Sequence, residues 1–197
     1  MANPDASVGL VPVRRIDGAP YMANLMVCNV PAGDGTRIGI GDPVKLAGDS
    51  GSVTGQDDFP TVAICAAGDR IFGVMVGKMP QKWDTTVHRA ASTEEDILVL
   101  PANGMVFQIE EDSVGGALAA TNTGQNADIV VTANCDVDSG LSKIELDSSG
   151  ASAATAQLRI LRIAPIMRNG EKNAVGVNAV WEVMVNEVEL ADSFAGV

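Results

Sequence analysis

One stretch constrains the fold more than any other: Asp96 to Gly116, DILVLPANGMVFQIEEDSVGG. It holds two short apolar runs, Ile97–Leu100 and Met105–Ile109, joined by Pro101-Ala102-Asn103-Gly104. Asn-Gly is a strong turn signal, because both residues tolerate positive φ and match the twist of an antiparallel pair, so the spacing predicts a hairpin. Pro101 has no backbone N–H and suits the end of the first strand. On the second strand Phe107 and Ile109 share one face, while Val106, Gln108 and Glu110 share the other. Glu110-Glu111-Asp112 is expected to carry the chain into water, as is Glu94-Glu95-Asp96 on the approach to the first strand.

The same design recurs along the chain. Strands are expected at Leu25–Val30, at Val44 and Leu46, at Val62 and Ile64, and at Phe72, Val74 and Val76. Others follow at Ile129 and Val131, Ile144 and Leu146, Leu158–Ile163, and Trp181, Val183 and Val185. Gly, Asp, Asn and Pro separate them, and helical signals are weak. Ser92-Thr93-Glu94-Glu95 has the form of a capping box, yet Pro101 would end the run it starts. Residues 113–127 and 147–156 are rich in small and polar residues and read as long surface loops. Short strands with such punctuation predict a mainly β fold, a single β-barrel or jelly-roll-like sandwich with long loops.

A chain of 197 residues suffices for one such domain. It buries roughly 70% of its unfolded surface without disulfide or metal support. The expected division is an extended N-terminal arm over 1–20, a β-rich domain over 21–190 and a short tail over 191–197. Aromatics make up only 4% of the chain, so Val, Ile, Leu, Ala and Met must build the core. The formal net charge of −12 argues against a nucleic-acid partner, since binding phosphate takes an excess of lysine and arginine. Cys28, Cys65 and Cys135 are odd in number and form no CxxC pair, which predicts buried free thiols in a reducing compartment. The start lacks a basic region followed by an apolar one, so no secretory signal is expected. No apolar run approaches the ~18 residues of a membrane helix, and no membrane partner is expected.

No catalytic constellation emerges, and no enzyme activity, metal or cofactor is expected. Gly48-Asp49-Ser50-Gly51 matches the string around a chymotrypsin-like serine, but that chemistry needs a histidine base and an orienting aspartate. His88, the one histidine, follows the serine, whereas that family places it before. The string reads as a turn between two strands, and a serine hydrolase using Ser50 with His88 stands as a rival. His88 itself reads as a surface or rim residue. Asp136-Val-Asp138-Ser-Gly140 lacks the full calcium-loop pattern and reads as a turn. Trp83, in a polar setting, is either an interface anchor or a loop ring folded back on the body. With Tyr21 it offers slender support for a receptor- or sugar-binding module.

The arm combines Val8, Leu10, Val11 and Val13 with Arg14-Arg15, and reads either as a docking segment or as an ordinary first edge strand. Its opening, Met1-Ala-Asn-Pro-Asp-Ala-Ser-Val-Gly-Leu-Val-Pro-Val-Arg, resembles the start of the head decoration, or capsid cement, proteins of tailed bacteriophages. So do Gly41-Asp-Pro-Val-Lys-Leu-Ala-Gly48 and Ile71-Phe-Gly-Val-Met-Val-Gly77. Val106-Phe-Gln-Ile-Glu-Glu-Asp112 with Gly115-Gly-Ala-Leu-Ala119 is similar to that family's middle block. Gly140–Ser149, Gln157–Leu161 and Trp181–Glu187 follow in the family's order. The resemblance spans about residues 1 to 188. It implies a non-enzymatic structural protein on the outer surface of the virion, made in the host cytoplasm, whose partners are the major capsid protein and further copies of itself as a dimer or trimer. Leu10, Val13, Arg14 and Arg15 are the expected capsid-binding residues.

Overall fold

The computed structural model describes residues 3–53, 59–79, 86–131, 135–152 and 154–190. The chain is mainly β, with its strands spread over several sheets. In order they are β1 (Val11–Arg15), β2 (Met26–Val30), β3 (Pro43–Gly51), β4 (Phe59–Ile64), β5 (Gly73–Lys78), β6 (Glu95–Pro101) and β7 (Met105–Glu110). After them come β8 (Asn126–Ala127), β9 (Ile129–Val131), β10 (Ile144–Leu146), β11 (Leu158–Ile163), β12 (Met167–Arg168), β13 (Glu171–Lys172) and β14 (Val180–Val185). Among the described residues, helix is confined to two 3-10 turns, Tyr21–Asn24 and Ala120–Asn122.

Five strands close on themselves in the order β2-β4-β3-β5-β6. Every pairing in this ring is antiparallel except the closing one, where β2 and β4 run parallel with Asn29 opposite Thr61. A separate antiparallel sheet has the order β1-β7-β14-β11-β8, and β9–β10 and β12–β13 are two-stranded.

The expected hairpin at Asn103-Gly104 is therefore not formed, because β6 belongs to the ring and β7 to the sheet. The turn exists: the Met105 N–H donates to the Ala102 carbonyl at 3.1 Å. Gly104 alone of the central pair takes positive φ, at 70°. The tight-hairpin turns need positive φ at the first central residue, here Asn103, which does not take it, so the turn does not match a hairpin's twist and the strands part. Pro101 ends β6 opposite Gly73 of β5, and the chain crosses to the other layer.

Strand parity explains the two apolar clusters. Ile97 and Val99 of β6 and Met75 of β5 join Cys28, Val44, Val62 and Phe72 in the cluster made by the ring strands. Val74 and Leu100, one residue out of phase, join the larger cluster with Phe107 and Ile109 of β7, Ile160 of β11 and Trp181 and Val183 of β14. The strand faces read from the sequence at Phe107 and Ile109 thus hold, although the pairing does not. Each fully buried aliphatic side chain in these clusters contributes roughly 1.5–3 kcal/mol relative to exposure. The three thiols are free and buried. Burial pushes Cys28 up to about 12 and Cys135 up to about 11.

Of the acidic strand ends only Glu94 is exposed as expected, with Asp112 half-buried. Glu95, Asp96, Glu110 and Glu111 are all buried, because each carboxylate finds donors. Lys78 Nζ reaches Glu95 at 3.0 Å, and the Asn29 amide reaches Asp96 at 2.9 Å. The Leu118 N–H donates to Glu111 at 2.7 Å. That bond holds Leu118 inward, and Asn126 and Ala127, also read as loop, are buried as strand β8 against β11.

Gly48-Asp49-Ser50-Gly51 also differs from expectation. It lies within β3, where the register with β4 jumps between Leu46 and Ser50 and Gly48 takes φ 79°. It is a bulge rather than an inter-strand turn.

Candidate functional site at the N-terminal strand

Residues Val11–Arg15 form an edge strand along β7, with Val11 opposite Gln108 and Arg15 opposite Met105. The register shifts between Pro12 and Arg14. A proline and a bulge are both tolerated at an edge, where half of the ladder positions face no neighbour. Leu10, expected to dock on a partner, is fully buried in the larger cluster, and its N–H donates to the Gly41 carbonyl at 2.9 Å. Its side chain is core and leaves the candidate set. Val13 is half-buried.

The two arginines have different surroundings. Arg14 Nη2 lies 3.2 Å from the buried carboxylate of Glu182 on β14. Arg162 of β11 grips the same carboxylate, with Nε at 2.8 Å and Nη2 at 3.1 Å. Burial raises the Glu182 pKa, but these two guanidiniums outweigh it and hold the carboxyl below its usual range. Arg15 is bidentate to exposed Asp17, at 3.0 and 2.8 Å, and holds that carboxyl down at about 2. Beside them Val11 and Ile16 remain exposed, Ile16 at 64%.

Upstream of the strand, residues 3–9 lie as a strap across the body. The Asn3 amide donates to the Ala174 and Val177 carbonyls, each at 2.9 Å. The Ala6 N–H donates to the Glu110 carboxylate at 3.1 Å. Arg168 completes the attachment, reaching Glu110 at 2.7 Å and the Ala6 carbonyl at 3.3 Å. Gly9, at φ 69°, passes so close to the body that a Cβ there would sit 2.5 Å from the Gly41 carbonyl oxygen. A cleft of ≈ 250 Å³ remains beside the strap, bordered by Val8, Val11, Ile109, Ile166 and the Glu110–Arg168 pair.

Carboxylates crowd this end. Oxygens of Asp5, Glu110 and Glu145 all lie within 4.8 Å of one another. Burial pushes Glu110 up despite its bonds to Ala6 and Arg168. Glu145 on β10 is pushed up to about 7, first by burial and then by Glu110, Asp5 and Asp112.

The other residues singled out in the sequence do not converge. Ser50 borders a cleft of ≈ 370 Å³ with Asn29, Asp49, Ser52, Thr61 and Glu94, and His88 is not among its lining residues. His88 is buried at 5% exposure, not a rim residue. Its neighbour Arg89 is fully buried and donates to the carbonyls of Pro31, Asp34, Thr36 and Thr93, which draws the segment inward. Tyr21 is half-buried and packs on the larger cluster. Asp136 accepts from the Ser139 N–H and hydroxyl and from the Asp138 N–H, which makes a turn. Trp83 and the tail over 191–197 lie outside the described residues.

Sequence reasoning missed Glu182, Arg168 and Glu145. A glutamate inside the apolar run Val180–Val185 was the available signal for a buried ion pair. Nothing in the local sequence marks Arg168 or Glu145, which reach the cluster from β12 and β10.

Comparison of the chain with protein-family models, with curated proteins and with solved structures returns no match.

Proposed function

We propose that this is a phage head decoration protein, a non-enzymatic unit that binds the outside of the mature capsid and stabilises contacts between major capsid subunits. The observation that carries the reading is the collinear order of turn-plus-strand strings, from the arm to Trp181–Glu187, that resembles that family. The mainly β architecture and the acidic charge are compatible with it. In this reading the five-strand ring is a small barrel and the open sheet its flanking layer. The protein works as a homodimer or homotrimer, and many copies with modest contacts each add up to a stable shell through avidity.

The docking residues in this reading are Val13, Arg14 and Arg15 on the edge strand, with Val11 and Ile16 supplying apolar area beside them. Charge reversal at Arg14 would set a carboxylate against buried Glu182, so Arg14→Gln/Arg15→Gln is the cleaner variant. The test is co-sedimentation of purified protein with expanded, undecorated heads and with unexpanded shells. Saturable binding to expanded heads, weakened in the double variant, is the expected result. Wild-type binding by the variant removes the edge strand as the docking site. No binding to either shell removes the capsid as partner.

A further inference from the structure

Residues 3–9 are attached by a few side-chain bonds rather than by a ladder, and those bonds converge on one carboxylate. Glu110 accepts the Ala6 N–H and the Arg168 guanidinium together, and Arg168 also holds the Ala6 carbonyl. Asn3 makes the outer attachment. The inner end is fixed where Leu10 enters the core. Between these points Asp5 faces Glu110 and Glu145 across less than 4.8 Å.

We propose that residues 3–9 form a proton-gated strap, closed on the body while Glu145 is protonated and loosened when it ionises. The charged groups acting on Glu145 are Asp5 on the strap, Glu110 on β7, Asp112 just beyond β7 and Lys143 on its own approach to β10, while β9 sets the apolar Val130 opposite it. Arg168 on β12 faces the cluster through Glu110. Four carboxylates therefore meet two cations. With Glu145 neutral, Glu110 keeps its bonds to Ala6 and Arg168 against one fewer like charge. With Glu145 ionised, Asp5 is the carboxylate that can retreat, because it is exposed and its segment has no ladder. Its retreat pulls on Ala6, one residue along. The opposing charges lie a few ångströms apart at a partly buried site, where salt screens weakly.

The sign follows from the direction of the shift. Burial and the neighbouring carboxylates raise Glu145 from the ordinary 4.5 to about 7. The strap's advantage is full below the lower value and is lost as pH rises through the upper one. The device concerns this chain alone and does not depend on the capsid reading.

The test is amide exchange of the full chain in EDTA-containing buffer at pH 5.5 and pH 8, read as protection factors so that intrinsic exchange cancels. The Ala6 amide should lose about tenfold or more of its protection at the higher pH, as a one-unit linkage implies. The Ile160 amide, in the core sheet, should hold and so report an intact fold. In Glu145→Gln the Ala6 protection should be high and equal at both pH values. In Asp5→Asn the Glu145 carboxyl should titrate at a lower pH by carbon-13 NMR. Equal Ala6 protection at both pH values in the parent overturns the proposal, and so does an undiminished pH response in Glu145→Gln.

Discussion

Two buried glutamates on the same pair of strands show opposite electrostatics. Glu182 of β14 sits opposite Gln108 of β7, and Glu110 of β7 sits opposite Val180 of β14. Parity puts both carboxylates on the sheet face turned away from Phe107, Ile109, Trp181 and Val183. Both are nearly inaccessible, at 1% and 4% exposure. Glu182 is covered by two arginines whose side chains stay about half exposed. Glu110 is covered by the strap and by Arg168, with Asp5 and Glu145 close by. An excess of guanidinium lowers one carboxyl and a shortage leaves the other raised. Burial alone does not decide the state of a carboxylate in this sheet. The local ratio of charges does.

The sharpest way to break this contrast is Arg168→Met. It leaves Glu110 buried without its cation, which should cost about 3 kcal/mol by urea denaturation at pH 7. The loss should shrink in acid, where Glu110 is neutral. An equal loss at pH 4 and pH 7 would show that Arg168 acts by packing instead.

Glu182→Gln should cost about 2 kcal/mol at pH 7, since the amide keeps one acceptor but loses the charge. Because the folded Glu182 is held below its usual value, its contribution is present above the unfolded pKa and vanishes as pH falls through the folded one. Parent and variant should therefore converge in acid, once Glu182 is protonated in the folded state as well, and a gap persisting in the most acidic range where the fold survives would refute the ion-pair account.

The third expectation concerns the opposite slope. Ionisation of Glu145 should lower stability between pH 5 and pH 8 by about 1 kcal/mol, after discounting for its partial exposure. A series of thermal melts in Glu145→Gln should be flatter over that range than in the parent. Arg162→Ala is expected to have the smallest effect, below that of Glu182→Gln, because its head is exposed and Arg14 remains on the carboxylate. A larger loss than Glu182→Gln would mean that the Arg162 stem, not its charge, protects this face.

How much of this was legible in the chain differs by level. Most of the longer strands were, because a period of two survives in runs such as Met105–Ile109 and Val180–Val185 whatever their neighbours are, while the two-residue strands β8, β12 and β13 were not. The edge-strand alternative for Val11–Arg15 was legible too, from apolar residues followed by a basic pair. The docking role of Leu10 was misread, since a leucine looks the same whether it faces a partner or the core. Glu95, Asp96, Glu110 and Glu111 in the acidic runs were misread for a related reason, while Glu94 is exposed as expected. Their donors are Asn29, Lys78, Leu118 and Arg168, none adjacent in sequence.

By itself, then, the sequence determined the mainly β class, the place and faces of most of the longer strands and the place of a turn at Asn103-Gly104. These depend on local sterics and on side-chain alternation, which a short window contains. Only the tertiary structure decided that β6 and β7 part into different sheets and that Glu182 is buried between two arginines. It also decided that residues 3–9 are tied down through Glu110. Pairing partners and charge neighbours are separated by most of the length of the chain, and Arg14 meets Glu182 across 168 residues. No local pattern carries such a contact, because it exists only once both strands have joined the same sheet.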